Sequence, residues 1–231
     1  MPRWLPQPPA DGRFGNLSDH ALTALLVLEA LILFVAAPLA GMGIRLPLFS
    51  GALVVAPLII MIVIISTSTG ARVMVSVAAV LAAAGLASRI NHPSLVTVWL
   101  GHLAVIAAVV AMSLVIGRAV FAPGRITHHR IEGAVILYLN IAVAFTSIYR
   151  MISELDPNAF ADVAGHQSET AALSTMLYFS FTTLTATGFG EILPINPLAR
   201  SMANLESVLG QLYLAILLAR LVTMHVESRK Y

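Results

Sequence analysis

The sequence lacks cysteine and is poor in charged residues. Its 231 residues include 13 Lys and Arg and 11 Asp and Glu, so only 10% of the chain is charged, whereas soluble domains average about 25%. Without cysteine there can be no disulfide framework, thiolate metal site or cysteine nucleophile. The formal net charge of +2 provides no strong field for nucleic acid. These shortages exclude a single soluble domain, and no nucleic-acid partner is expected.

Apolar residues make up 58% of the chain, and the mean hydropathy is +0.89. A helix crosses a bilayer core of about 30 Å with about 20 apolar residues. Six such runs are separated by turn residues, at approximately 21–41, 48–66, 73–88, 94–117, 132–152 and 198–224. A seventh run, 170–185, is rich in Ser, Thr and aromatic residues, and Gly188 and Gly190 follow it. The predicted fold is therefore all-α and transmembrane, with six spans and a re-entrant helix.

Six spans place both termini on one side of the membrane, and basic residues favour the cytoplasmic side. With cytoplasmic termini, nine of the 13 basic residues lie inside and four lie outside, namely Arg45, Arg89, Arg150 and Arg200. We therefore expect a plasma-membrane protein, and its Arg, Ala and Leu usage favours a bacterial inner membrane. Residues 1–19 are rich in Pro and Gly and predict a flexible cytoplasmic tail. No signal-peptide cleavage is expected, because the first apolar run is too long for a signal-peptide core.

The segment from Thr185 to Glu191 reads TATGFGE and carries the main functional signal. Glycine adopts left-handed backbone angles that bulkier residues resist. Alternating left- and right-handed angles turn successive carbonyl oxygens to the same side, and such a row can replace the water shell of a cation. Irregular backbone at membrane depth is tolerated where it is buried or lines a wet path. The segment is thus predicted to line an ion path.

The sequence YFSFTTLTATGFGEILP resembles the pore helix, selectivity filter and outer mouth of tetrameric potassium channels, whose pattern is TLTTVGYGD. The following ARSMANLESVLGQLYLAILLARLV resembles the inner helix of bacterial members of that family. The specific resemblance covers about 170–224. Because the chain carries one copy of the filter, the resemblance implies a homotetramer that conducts K⁺ passively, without a cofactor or enzymatic chemistry.

The resemblance also implies roles for individual residues. Residues 186–190 would form the filter after Thr185, and K⁺ would be bound by the main-chain carbonyls of Ala186, Thr187, Gly188 and Phe189. Filter support and the outer mouth are expected from Tyr178, Phe179, Thr182 and Glu191, with Gly190 closing the filter. Membrane lipids would be the other partners.

Three departures from the family pattern matter. Glu191 stands where the family usually has Asp, which keeps the charge on a longer side chain. Phe189 stands where the family has Tyr, so a hydroxyl is lost but a ring is kept. Ala186 stands where the family has Thr, so the innermost ion site loses one hydroxyl per subunit. A poorly selective monovalent cation channel is therefore one alternative, and a non-conducting membrane sensor or scaffold is another. An intramembrane hydrolase has no support, because the sequence contains neither GxSxG nor HExxH.

The resemblance and the spans together divide the chain into a tail, a four-span membrane domain at 20–117, a cytoplasmic linker at 118–131 and a pore domain at 132–231. The pore domain comprises an outer helix, a pore helix at 170–185 and an inner helix at 198–224. The fourth span has no Arg before Arg118, so steep voltage gating is not expected. The chain ends soon after the sixth span, so no cytoplasmic ligand-binding domain is expected and the gating stimulus is left open.

The last predicted span contains one glycine, and several predicted spans contain ionisable residues, which are unfavourable in a membrane helix. Gly210 lies twenty residues after Gly190, where the family has a hinge glycine, and either bending or close helix packing would explain it. Glu29 and His102 lie at similar predicted depths, so they are candidates for a buried pair. Glu206 is expected to pair either with pore-helix hydroxyls or with Arg150.

Overall fold

The computed structural model describes residues 12–44, 76–77, 80, 84, 95–121, 128–161 and 168–228. Helix α1, Gly12–Leu31, continues through a π-helical segment, Ile32–Ala36, into α2, Ala37–Gly41. The later helices are α3, Leu95–Val120; α4, His128–Leu155; α5, Glu169–Leu184; and α6, Pro197–Ser228. Two short strands complete the described part, β1 at Phe160–Ala161 and β2 at Leu193–Pro194.

Four helices of the described part are long and apolar enough to cross a membrane: Leu22–Gly41, Val96–Arg118, His128–Leu155 and Pro197–Thr223. They correspond to the first, fourth, fifth and sixth predicted spans, so the prediction of a mostly helical membrane protein is confirmed. The predicted span at 48–66 lies outside the described residues, as does most of the span at 73–88. The six-span arrangement therefore stays a prediction.

Helix α4 is the central element of the described part. It packs against α1, α3, α5 and α6, and its buried face contains Ile136, Leu137 and Phe145. At its start, Gly133 lies so close to α3 that an added Cβ would be 2.7 Å from a methyl group of Val120. This helix therefore connects the N-terminal spans to the re-entrant segment.

The first span packs directly on α5, the predicted re-entrant helix. The rings of Phe34 and Phe181 are 5.2 Å apart, and a Cβ on Gly41 would be 2.9 Å from the Ser174 hydroxyl. At the other end of the span, the Thr23 hydroxyl donates to the Glu132 carboxylate of α4 at 2.9 Å. The N-terminal span is thus in contact with α4 and α5 at positions from Thr23 to Gly41.

The strands β1 and β2 form an antiparallel pair in which Phe160 faces Pro194 and Ala161 faces Leu193. The all-α prediction omitted this pair. It forms because two loops meet there, and the backbone N–H groups of Ile195 and Asn196 also donate to the Ala159 carbonyl. The pair ties the segment after the predicted filter to the end of α4.

Candidate functional site

The pore helix α5 begins at a hydrogen-bonded cap and ends beside the predicted filter. The Ser168 hydroxyl accepts a hydrogen bond from the Ala171 N–H at 3.3 Å, which satisfies a donor of the first turn. The helix ends at Leu184, one residue before the predicted boundary. Its C-terminal end carries the partial negative charge of the helix dipole. That charge lies next to the predicted filter, and a negative partial charge attracts cations.

The backbone of the predicted filter alternates in handedness. The φ angles are +54° at Ala186, +53° at Gly188 and +89° at Gly190. In the described part of the chain, Ala186 is the only non-glycine residue with a positive φ. A left-handed angle disfavours a residue with a Cβ by about 1–2 kcal/mol. The glycines alone indicated two of these positions, and continuing their two-residue spacing backwards would have indicated Ala186.

Hydrogen bonds to the pore helix hold this backbone in place. The N–H groups of Thr187 and Gly188 donate to the Thr182 carbonyl at 2.9 and 3.1 Å, and the Ala186 N–H donates to Thr183 at 2.9 Å. The Thr185 hydroxyl lies 2.7 Å from the Phe181 carbonyl and 2.8 Å from the Thr187 hydroxyl. The Thr185 hydroxyl has one proton and donates it to the Phe181 carbonyl, so the Thr187 hydroxyl is the donor in its contact with Thr185. Thr182 therefore supports the segment through its main chain.

The two aromatic residues expected to brace the filter point in different directions. The Tyr178 ring stacks on Phe189 with 6.4 Å between centroids, and its hydroxyl donates to the Glu191 carboxylate. This bond raises the pKa of Tyr178, because ionisation would remove the donated proton and add a like charge. Phe179 faces away, into a cluster with Tyr149 and Phe160. The expected pair is thus divided between the filter and the α4 side.

A cavity of about 210 Å³ lies between the pore helix and the filter, with Tyr178, Thr182, Gly188, Leu193 and Ala203 among its lining residues. On the other side the filter is open. Every residue from Thr185 to Glu191 is exposed in the single chain, and Phe189 is 70% exposed. One chain therefore presents an ordered backbone segment on an uncovered face.

Glu206 of α6 is fully buried behind the pore helix. Its Oε2 accepts a hydrogen bond from the Tyr149 hydroxyl at 2.6 Å, and its Oε1 lies 2.5 Å from the Ser180 hydroxyl. Of the two expected partners, the structure places the pore-helix hydroxyl beside Glu206. Arg150 instead contacts Glu154 at 3.2 Å. Tyr149 was missed as a partner because nothing in the local sequence relates it to Glu206.

The prediction that His102 pairs with Glu29 is wrong, because His102 pairs with Glu154. His102 Nε2 lies 3.2 Å from Glu154 Oε1, a carboxylate that also contacts Arg150 one turn away on α4. Helices α1 and α3 each pack on α4, so equal depth does not bring their side chains together. Within the described part, Glu29 is buried and its Oε2 has no hydrogen-bond partner.

Gly210 lies at the closest approach of α6 to the pore helix. A Cβ at this position would be 2.1 Å from the carbonyl oxygen of Leu184, the last residue of α5. The Tyr138 hydroxyl donates to the same carbonyl at 3.3 Å. Close packing therefore requires glycine here, and the hinge role stays a prediction.

Comparison with known families gives one result. Residues 134–227 match a family model described as an ion channel. This match covers α4, the pore helix, the filter segment and nearly all of α6. Neither the curated proteins nor the solved structures gave a match.

The match and the four long apolar helices define the class of the protein. It is a membrane protein that carries an ion channel domain. The domain points to passive conduction of ions and not to enzymatic chemistry.

Proposed function

We propose that the protein is a homotetrameric channel that conducts K⁺ selectively across a bacterial plasma membrane, with both termini in the cytoplasm. The observation that carries the proposal is the alternation of left-handed angles at Ala186, Gly188 and Gly190 within an ion channel domain. Such alternation turns carbonyl oxygens to the same side, where they can replace the hydration shell of a monovalent cation. The carbonyls of Ala186, Thr187, Gly188 and Phe189 are the proposed ligands.

Liposome flux with purified protein tests this proposal, with K⁺ and Na⁺ compared at equal gradients. The expected result is K⁺ flux well above both Na⁺ flux and the leak of protein-free liposomes. Equal rates for the two ions would establish the poorly selective alternative, which the missing hydroxyl at Ala186 favours. Flux at the leak level for both ions would leave the non-conducting sensor or scaffold.

The proposed tetramer follows from the single filter copy and its exposure. One segment supplies carbonyl oxygens from one direction only, so surrounding a cation requires several copies, and cyclic symmetry closes such a ring. We expect native mass measurement in nanodiscs to give four chains per particle. A stable monomer or dimer that still conducts would contradict the proposal.

Adding a hydroxyl at position 186 is expected to sharpen selectivity. Serine fits here better than threonine, because a β-branched residue strongly resists the φ of +54° at this position. Ala186→Ser should raise the K⁺ to Na⁺ flux ratio about fivefold, if the added oxygen contact is worth about as much as one hydrogen bond.

The matched control at this position is Ala186→Gly, which relaxes the backbone without adding an oxygen. It should leave the flux ratio unchanged. An unchanged ratio in Ala186→Ser, with the filter geometry preserved, would show that the missing hydroxyl does not limit selectivity.

A further inference from the structure

Three oxygen contacts join Glu206 to the neighbouring helices. The Tyr149 hydroxyl of α4 is 2.6 Å from Glu206 Oε2. The Ser180 hydroxyl of α5 is 2.5 Å from Glu206 Oε1, and the same hydroxyl is 2.9 Å from the Ala142 carbonyl oxygen of α4. The residues are buried, with Ser180 and Glu206 at 0% exposure. Helices α4, α5 and α6 therefore meet at the Glu206 carboxyl group.

The number of protons available at these contacts bears on the protonation state of the Glu206 carboxyl group. Two oxygens at hydrogen-bond distance repel each other unless a proton lies between them. The three contacts need three protons, yet the Tyr149 and Ser180 hydroxyls supply one each. The Ala142 carbonyl has none to give, and its contact with the Thr146 hydroxyl at 2.7 Å uses the proton of Thr146. The remaining group at these contacts that can carry a proton is the Glu206 carboxyl group.

A shared proton does not remove this requirement. In a three-centre bond, Ser180 would divide one proton between Oε1 and the Ala142 carbonyl, and each contact would be weaker and longer than an ordinary bond. Neither contact is lengthened here, since Ser180 lies 2.5 Å from Glu206 Oε1 and 2.9 Å from the Ala142 carbonyl oxygen. A carboxylic acid donating to Ser180, with Ser180 donating onward to Ala142, satisfies every contact.

We propose that Glu206 is a protonated, neutral carboxyl group, and that in this form it positions the pore helix behind the filter. The burial of the group agrees with neutrality, since an ionised carboxylate at membrane depth requires a charge partner. In the described part of the chain, no Arg or Lys forms an ion pair with Glu206. The effect on conduction rests on the proposed channel function, whereas the protonation state does not.

The surroundings of Glu206 supply no competing charge. From α4 the titratable groups that face it are Tyr149 and Tyr138, and from α5 it meets the Ser180 hydroxyl. The strand β2, Leu193–Pro194, carries no titratable side chain. Deprotonation of Glu206 would thus place an uncompensated charge at the junction of three helices and remove the proton from its contact with Ser180.

Infrared spectroscopy of the full chain in nanodiscs tests the protonation state directly. A protonated carboxyl group gives a C=O stretch separate from carboxylate and amide bands. At neutral pH, the difference spectrum between wild type and Glu206→Gln is expected to contain this band. The control Glu169→Gln, at an exposed position in the first turn of α5, should leave the band in place. Ser180→Ala should shift it, because the carboxyl proton loses its acceptor.

Liposome flux tests the positioning role. Glutamine can donate to Ser180 and accept from Tyr149, so Glu206→Gln should conduct within about twofold of wild type. Glu206→Leu should lose at least about tenfold, because it leaves the Tyr149 hydroxyl without an acceptor and the Ser180 oxygen without a donor. Wild-type flux should fall at alkaline pH, while that of Glu206→Gln should not. The pH profile separates a protonated group from one that merely fills space.

Two results would overturn the proposal. A carboxylate band at neutral pH that disappears in Glu206→Gln would show that the group is ionised, whether or not the protein conducts. A conducting wild type with the same pH profile as Glu206→Gln would show that its protonation has no part in positioning the pore helix. Absence of K⁺ flux in the wild type would contradict the channel function and leave the infrared result as the measure of protonation.

Discussion

Replacing Gly210 with alanine is expected to abolish ion flux. The new Cβ would lie 2.1 Å from the Leu184 carbonyl oxygen and 3.0 Å from its carbonyl carbon, so α6 and the end of the pore helix must separate by about 1 Å to reach ordinary contact. Overpacking of this kind destabilises by about 1–3 kcal/mol at each site. Leu184 directly precedes the turn into the filter, so the displacement reaches the carbonyls proposed to bind the ion.

Gly117→Ala is the matched control for this substitution. It also lies inside a helix, but its Cβ would find only a Leu137 methyl at 4.0 Å. It should therefore retain flux and gain up to about 1 kcal/mol from helix propensity. Liposome flux and the thermal stability of the protein measure both effects. If Gly210 acts as a hinge, Gly210→Ala would instead change the open probability and leave ion occupancy in the proposed filter the same. If Gly210→Ala had the flux and stability of the wild type, the packing argument would be contradicted.

Gly188→Ala is expected to reduce flux to the leak level. The φ of Gly188 is +53°, and an added Cβ would meet nothing within 4 Å in the single chain. The obstacle is therefore conformational, and each subunit loses about 1–2 kcal/mol if the left-handed angle is kept. If the backbone relaxes to a negative φ, the peptide plane turns and a carbonyl leaves the row that would coordinate the cation.

Gly43 provides a control that separates backbone strain from filter geometry. Its φ is +83°, and a Cβ there would also meet nothing within 4 Å, but it lies in the turn after α2. Gly43→Ala should show a similar local strain and retain flux. The measurement is liposome K⁺ flux for both variants, prepared at equal protein density. Conduction by Gly188→Ala at the wild-type rate would rule out the proposed use of this backbone angle.

The position of the candidate site could be read from the sequence because its determinants are local. Two glycines around one aromatic residue permit left-handed angles, and a run rich in Ser and Thr that ends before them gives the re-entrant helix. The long apolar runs likewise predicted the first, fourth, fifth and sixth spans, since a bilayer demands about 20 apolar residues from any crossing helix. The family match at 134–227 supports an ion channel domain in the same region.

The partners of the buried polar groups were decided only by tertiary structure. Matching depth suggested Glu29 for His102, but the packing of α3 on α4 brings Glu154 there instead. Depth along a membrane normal is one coordinate, and helix order and rotation supply the other two, which a single sequence does not contain. Glu206 shows the same limit, because Tyr149 and Ser180 reach it from helices far apart in the chain.

The sequence by itself determined the long apolar helices and the positions of the two left-handed glycines, because hydropathy and glycine conformation act over neighbouring residues. Tertiary structure decided why Gly210 must be glycine and why Ala186 is left-handed. The first depends on a carbonyl oxygen 26 residues earlier in the chain. The second depends on how the pore helix holds the filter N–H groups. Contacts between distant segments form only once the helices pack, so no local pattern records them.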